Sequence, residues 1–270
     1  MLDLRSSNPV LADQQLAASV RATPITESAS IGGVAQKTAI ALTLAVVGGV
    51  AGAGLTSSLG QGAMWGIFGV SLVASLVCYF ATFRHPERAA WATPLYSVTQ
   101  GAMLGCFAFI LDAVLAAKGI AALGGLGLQA FVITLSVTAA MLLVYRAGLI
   151  KPGKTFVAVL STLTIGICLA YLAQFILGFF GISIPGLGLQ SAMEGGKMAL
   201  IGLGINAVIL IVASLWLIVD FQMIEDAVNA RVDRRYEWYF AFALMITLVW
   251  VYMEALKLAF RAAMIAGNRK

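Results

Sequence analysis

Long apolar stretches alternate with short polar connections over most of the chain. Each stretch is long enough to cross the bilayer core as a helix, which takes about 20 apolar residues. Strands of a membrane β-barrel alternate in polarity over roughly 10 residues and do not fit stretches so continuously apolar. The pattern predicts an all-α membrane protein with seven helical spans, at about 37–55, 63–83, 94–115, 128–145, 156–180, 198–219 and 238–264.

Residues 1–36 have a different character. They are polar, contain Pro9 and Pro24, and include no apolar run of the kind found in a cleavable signal peptide. Such a composition buries too little apolar surface to fold, so it predicts a disordered tail over 1–36. The remaining residues, 37–270, are predicted to form a single seven-span transmembrane domain.

Basic residues in the connections predict the orientation, because Lys and Arg accumulate on the cytoplasmic side. The tail and every second connection are basic, whereas the opposite side has only Lys118 and Lys197, which places the N-terminus in the cytoplasm. Seven spans then leave the C-terminus outside, although that end is itself basic. A re-entrant last segment is the alternative. The basic residues on the predicted cytoplasmic side are Arg5, Arg21, Lys37, Arg84, Arg88, Arg146, Lys151, Lys154, Arg231, Arg234 and Arg235.

The composition supports the membrane assignment and argues against nucleic acid as a partner. Hydrophobic residues make up 61% of the chain and charged residues 11%, whereas a soluble domain has about 25% charged residues. The net charge of +5 comes from Lys and Arg placed between apolar stretches, where membrane orientation explains them. At this stage the predicted partner is the lipid bilayer, and no nucleic acid is expected.

Residues for catalysis are few. His85 is the single histidine and lies in a basic connection, so a Ser–His or Cys–His mechanism has little support. The three cysteines, Cys78, Cys106 and Cys168, lie within apolar stretches, where packing explains them better than disulfide or metal chemistry. We therefore expect neither an enzyme nor a cofactor.

Acidic residues within the apolar stretches are the most informative. A charge at the bilayer centre costs about 2.5–3.5 kcal/mol or more, so an acid kept there needs a reason. Asp220 ends the sixth stretch and Glu254 lies deep in the seventh. Asp112, near the end of the third stretch, is either a residue at the membrane interface or a modulator of a functional site formed by these acids. Glu225 is either a solvated residue of a continuing helix or a modulator.

Glu254 has two readings, because Lys257 follows it by three residues. That spacing places both side chains on one helix face, where they can form an ion pair. A neighbouring cation favours an ionised carboxylate and opposes titration near neutral pH. Glu254 is therefore either half of a structural ion pair or a functional group, with Lys257 as its modulator.

Short motifs spread over nearly the whole chain resemble those of the Bax inhibitor-1 family, in particular its bacterial YccA-like branch. The resemblance implies a seven-helix bundle with the last helix central, and a pH-sensitive calcium leak. It also implies a carboxyl pair on the last two helices, which falls on Asp220 and Glu254. The matching segments are 5–10 (RSSNPV), 93–96 (TPLY) with Gly101 and Gly105, 217–221 (LIVDF), 236–239 (YEWY) and 248–254 (LVWVYME).

The chain departs from the family pattern around this pair. The second acid is Glu rather than Asp, Lys257 follows it, and the connection between the two acids is long. Two regular helices turning near Val232 would offset Asp220 and Glu254 by roughly 15 Å along the helix axis, at 1.5 Å per residue. A broken helix or an irregular connection would be needed to bring them together.

The leading hypothesis is a bacterial inner-membrane protein that permits slow, pH-gated passage of Ca²⁺. Two neighbouring carboxyls cannot both ionise without cost, so they titrate as a unit. When ionised, Asp220 and Glu254 would supply hard oxygen ligands to transient Ca²⁺. The alternative is a non-transporting protein that binds or stabilises other membrane proteins.

Overall fold

The computed structural model describes residues 27–268, which form eight α-helices and no β-strand. Seven helices are long, and one, α6, is a short helix before α7. Single 3-10 turns, Pro86–Arg88 and Arg234–Tyr236, precede α3 and α8. The helices are α1 (Ile31–Leu59), α2 (Gln61–Arg84), α3 (Ala89–Ala117), α4 (Leu126–Arg146), α5 (Lys154–Gly178), α6 (Gln190–Glu194), α7 (Gly196–Asn229) and α8 (Glu237–Gly267).

Seven helices of the described region have the length and the apolar composition needed to cross a membrane. Each corresponds to one of the seven predicted stretches, so the predicted fold class, an all-α seven-span membrane protein, is confirmed. Of the predicted tail, residues 1–26 lie outside the described part of the chain.

α1 begins at Ile31, ahead of the predicted start near Lys37. The reason is a helix cap: the Ser30 hydroxyl accepts a hydrogen bond from the Gly33 backbone N–H at 2.9 Å. A serine in this position satisfies an N–H that the helix cannot pair internally. Residues 31–36 (IGGVAQ) are therefore the first turns of the span rather than the end of a tail.

α7 extends well past the predicted end of the sixth span at Val219, and reaches Asn229. Beyond the apolar stretch the helix has one buried face, with Met223, Ile224 and Ala227, while Glu225 is exposed. This spacing is that of an amphipathic helix. Hydropathy marked the end of the apolar stretch, not the end of the helix.

α8 is the most buried of the seven long helices. In its most apolar 18-residue window 72% of the residues are buried, against 44% for α7 and 6% for α5. α5 instead exposes large apolar side chains such as Leu169 and Phe175, as expected of a helix that faces lipid. The expectation that the last span is the interior helix is confirmed.

The chain divides into two compact units. The first consists of the described residues up to Phe107 together with Leu217–Val249; the second consists of Ala108–Trp216 and the residues from Trp250 onward. α7 and α8 each contribute residues to both units, and each is a continuous helix at its acid, Asp220 or Glu254. The break in one of these helices that the sequence analysis considered is not present.

In the first unit, α1 and α3 pack backbone against backbone. A Cβ on Gly52 would overlap the carbonyl oxygen of Ala102, and a Cβ on Gly105 would overlap that of Gly49. Small residues four apart allow this close approach, which replaces hydrophobic association as the source of helix packing in lipid. Gly54, by contrast, has no atom within 4 Å of its Cβ position. The glycines in close backbone contact are Gly48, Gly52, Gly101 and Gly105.

Candidate functional site

Asp220 lies in the first unit, on α7, and is 1% exposed. Its Oδ2 accepts a hydrogen bond of 2.6 Å from the Thr247 hydroxyl on α8. The residues just before it, Ile218 and Val219, are buried and apolar. A carboxyl in such surroundings is costly to ionise unless polar partners compensate, and the Thr247 hydroxyl is one of those partners.

Glu254 lies in the second unit, on α8, and is also 1% exposed. Its carboxylate is held by side chains from two other helices. Asn206 on α7 donates through Nδ2 to Oε2 at 2.6 Å, and the Tyr171 hydroxyl on α5 lies 3.1 Å from Oε1 and 3.3 Å from Oε2. A buried carboxylate is therefore met by polar side chains from two other helices, α5 and α7. We call Glu254, Asn206, Tyr171 and Lys257 the Glu254 cluster.

Lys257 completes this cluster. Its ammonium lies 2.8 Å from Glu254 Oε1, 3.0 Å from the Tyr171 hydroxyl and 4.4 Å from the centroid of the Tyr171 ring. The ion pair that the three-residue spacing allowed is thus present. It is supplemented by a cation–π contact, which strengthens as water is excluded.

Arg261, which the sequence analysis counted only as part of the basic C-terminal end, is a buried residue of the second unit. It is 1% exposed and follows Glu254 by seven residues, two helical turns along the same face of α8. Its guanidinium donates to the Ser191 hydroxyl at 2.9 Å and to the carbonyls of Gly188 at 2.8 Å and Gly186 at 3.0 Å. Arg261 therefore fastens the connection between α5 and α7 to α8.

The two predicted modulators on other helices occupy different settings. The Asp112 carboxylate accepts hydrogen bonds from the Leu126 N–H at 2.9 and 3.2 Å, so it caps the start of α4. Glu225 is exposed on the polar face of α7. Asp112 thus has a structural role, and modulation of a site by either residue stays a prediction.

The structure adds four residues that the sequence analysis did not select as site residues. Their partners lie far away in the chain, for example Tyr171 and Glu254, 83 residues apart, so no local pattern reveals them. Two of them carried a signal in the sequence: Asn206 is an amide inside an apolar stretch, and Arg261 is a charged residue inside the seventh stretch. The added residues are Tyr171, Asn206, Thr247 and Arg261.

Among residues 27–268, no three His, Cys, Asp or Glu side chains converge on a place that could hold a metal ion. The Glu254 cluster supplies a single carboxylate with amide and phenol groups. Such a set fits a transient contact with a cation better than a tightly bound resident metal, which needs more ligands.

Seven membrane-length helices and buried acids on the last two define a multi-pass α-helical membrane protein. The chain belongs to the Bax inhibitor 1 like family, whose model matches residues 8–263. The resemblance to the Bax inhibitor-1 family is thereby confirmed over nearly the whole chain, and its bacterial branch stays a prediction. No curated protein matched the chain in comparison, and no solved structure did.

Proposed function

We propose that this protein lets cations, chiefly Ca²⁺, pass slowly through the bacterial inner membrane in a pH-sensitive manner. The observation that carries the proposal is the Glu254 cluster, in which a carboxylate that is 1% exposed is met by polar side chains from α5, α7 and α8. A buried ionisable group is costly in a membrane and is by default a candidate functional group, with ion pathways among its known roles. Family membership supports the same reading.

Asp220 and Glu254 are the carboxyls we propose to respond to pH. In the ionised form, carboxylates offer the hard oxygen ligands that Ca²⁺ prefers. Protonation removes that charge and weakens any ion pair or charge-assisted hydrogen bond that the carboxylate makes. In the Glu254 cluster such a change would affect the contacts that join α5, α7 and α8. This provides a physical link between proton binding and helix packing.

A second candidate is a non-transporting protein that binds or stabilises other membrane proteins. It is favoured by the completeness of the Glu254 cluster, because both carboxylate oxygens already have partners within the chain. We propose no enzymatic activity. His85, the single histidine, lies half-exposed with its Nδ1 3.3 Å from Glu87 Oε1, a surface pair rather than a catalytic arrangement.

The proposal is tested by calcium flux through vesicles that contain the purified full-length protein. Vesicles loaded with a calcium indicator should show a slow influx above that of empty vesicles, and its rate should differ between pH 6 and pH 8. His85→Ala is the matched control, which should keep both the flux and its pH response. Flux equal to that of empty vesicles at both pH values would favour the second candidate.

The proposed orientation places the N-terminus in the cytoplasm and, after seven crossings, the C-terminus in the periplasm. An alkaline phosphatase fused after Lys270 should therefore be active, because this reporter folds only outside the cytoplasm. A green fluorescent protein fused at the same place should be dark, because this reporter becomes fluorescent only when it folds in the cytoplasm. The opposite pair of signals would rule out seven full crossings with this orientation.

A further inference from the structure

The Lys257 ammonium occupies the position that a cation bound to Glu254 would take. It contacts the carboxylate at 2.8 Å and the Tyr171 hydroxyl at 3.0 Å, and it lies over the Tyr171 ring. These are oxygen and π contacts of the kind that a mobile cation would itself make. The single positive charge of Lys257 also balances the single negative charge of Glu254.

We infer that Lys257 is a tethered cation that competes with mobile cations for the Glu254 carboxylate. Binding of Ca²⁺ at Glu254 and pairing of Glu254 with Lys257 are mutually exclusive, so the lysine keeps the leak low while it is in place. This inference rests on the proposed function, since it specifies how the same site is regulated.

The Lys257 side chain is mobile enough to act as this competitor. Its side chain is 17% exposed, whereas that of Glu254 is 1% exposed. The ammonium is a compact charge on a flexible four-carbon stem with no fixed geometry. Lys257 can therefore leave the cluster by rotation of its own side chain, while Glu254 stays in place.

Arg261, the other cation on this face of α8, cannot act as a displaceable competitor. Its guanidinium is buried and bound to the Ser191 hydroxyl and to the carbonyls of Gly186 and Gly188. It lies two helical turns from Glu254 and is held away from the carboxylate by these bonds. Lys257 is therefore the cation that has to leave before another can reach Glu254 Oε1, because both would occupy the same space beside this oxygen.

The cluster also has a spare oxygen for an incoming cation. Asn206 donates its Nδ2 to Glu254, but its buried Oδ1 accepts no hydrogen bond from the described residues. A buried acceptor without a partner is energetically unfavourable. Once the lysine has moved away, an incoming cation meets the Glu254 carboxylate and the Tyr171 hydroxyl, and the Asn206 amide oxygen is the remaining acceptor of the cluster.

The test compares Lys257→Met with Lys257→Arg, in the full-length protein, by two measurements. The first is calcium flux in vesicles at neutral pH, where Lys257→Met should be severalfold faster than the wild type and Lys257→Arg should not. The second is the thermal unfolding midpoint in detergent, which millimolar Ca²⁺ should raise for Lys257→Met but not for the wild type, because a ligand stabilises the state that binds it. Adding Glu254→Gln to Lys257→Met should remove both effects.

Unchanged flux together with an unchanged calcium response in a folded Lys257→Met protein overturns the inference. Lys257→Gln, which keeps a hydrogen-bond donor near Glu254, replaces it if the methionine variant does not fold. The two proposals fail separately. An absence of flux in both the wild type and Lys257→Met refutes the leak, while the calcium-dependent unfolding midpoint still decides whether Lys257 blocks a cation site.

Discussion

Gly52→Ala should destabilise the protein by about 1–3 kcal/mol, the usual cost of forcing an extra methyl group into a filled space. The methyl would overlap the carbonyl oxygen of Ala102 on α3, and a helix backbone cannot move aside as a side chain can. The matched control is Gly54→Ala, two residues further along α1, where the Cβ position is open. There alanine should be neutral or slightly stabilising, because it favours a helix by up to about 1 kcal/mol over glycine.

The measurement is the free energy of unfolding of the two variants and the wild type, obtained by denaturant titration in one detergent. Opposite signs for Gly52→Ala and Gly54→Ala support the backbone contact between α1 and α3. Equal effects of the two substitutions would show that helix propensity, not this contact, determines the response.

Neutralising either buried acid should remove most of the pH dependence of calcium flux. Asp220→Asn and Glu254→Gln keep the shape of the carboxyl and hold it permanently uncharged, as protonation would. If the two carboxyls act as a unit, the double variant should add little to either single variant, because coupled sites are not additive. Glu87→Gln, at an exposed acid in the connection between α2 and α3, is the control and should leave the pH response unchanged.

The measurement is flux through vesicles across a series of pH values, with equal amounts of reconstituted protein. Fully additive effects of Asp220→Asn and Glu254→Gln would show that the acids act independently and would refute the pair. If neither substitution alters flux, the leak hypothesis fails and the protein-binding alternative replaces it.

The spans could be predicted from the sequence because bilayer thickness imposes a length that apolar stretches display directly. The ends of the spans could be predicted less well. α7 continues to Asn229 as an amphipathic helix after its apolar stretch has ended, and α1 begins at Ile31 because Ser30 caps it. Both errors arise from a hydropathy criterion, which measures affinity for lipid rather than backbone hydrogen bonding.

The site was predictable to the extent that its chemistry is local. Asp220 and Glu254 stand out as charges in apolar stretches, and the pairing of Glu254 with Lys257 follows from helical spacing alone. The contacts of Tyr171 and Asn206 depend on which helices are neighbours, and one sequence does not contain that information. The functional pairing of Asp220 with Glu254 stays a prediction.

The contacts of Arg261 set an order of events during biosynthesis. The carbonyls and hydroxyl that it binds lie 70–75 residues earlier in the chain. At about 5–20 residues per second, a ribosome needs roughly 4–15 s to reach Arg261 after it has made them. During that interval the connection between α5 and α7 lacks the guanidinium that will hold it. α8, the most buried long helix, is synthesised after α5 and α7, so Arg261 can bind this connection only once α8 has been made.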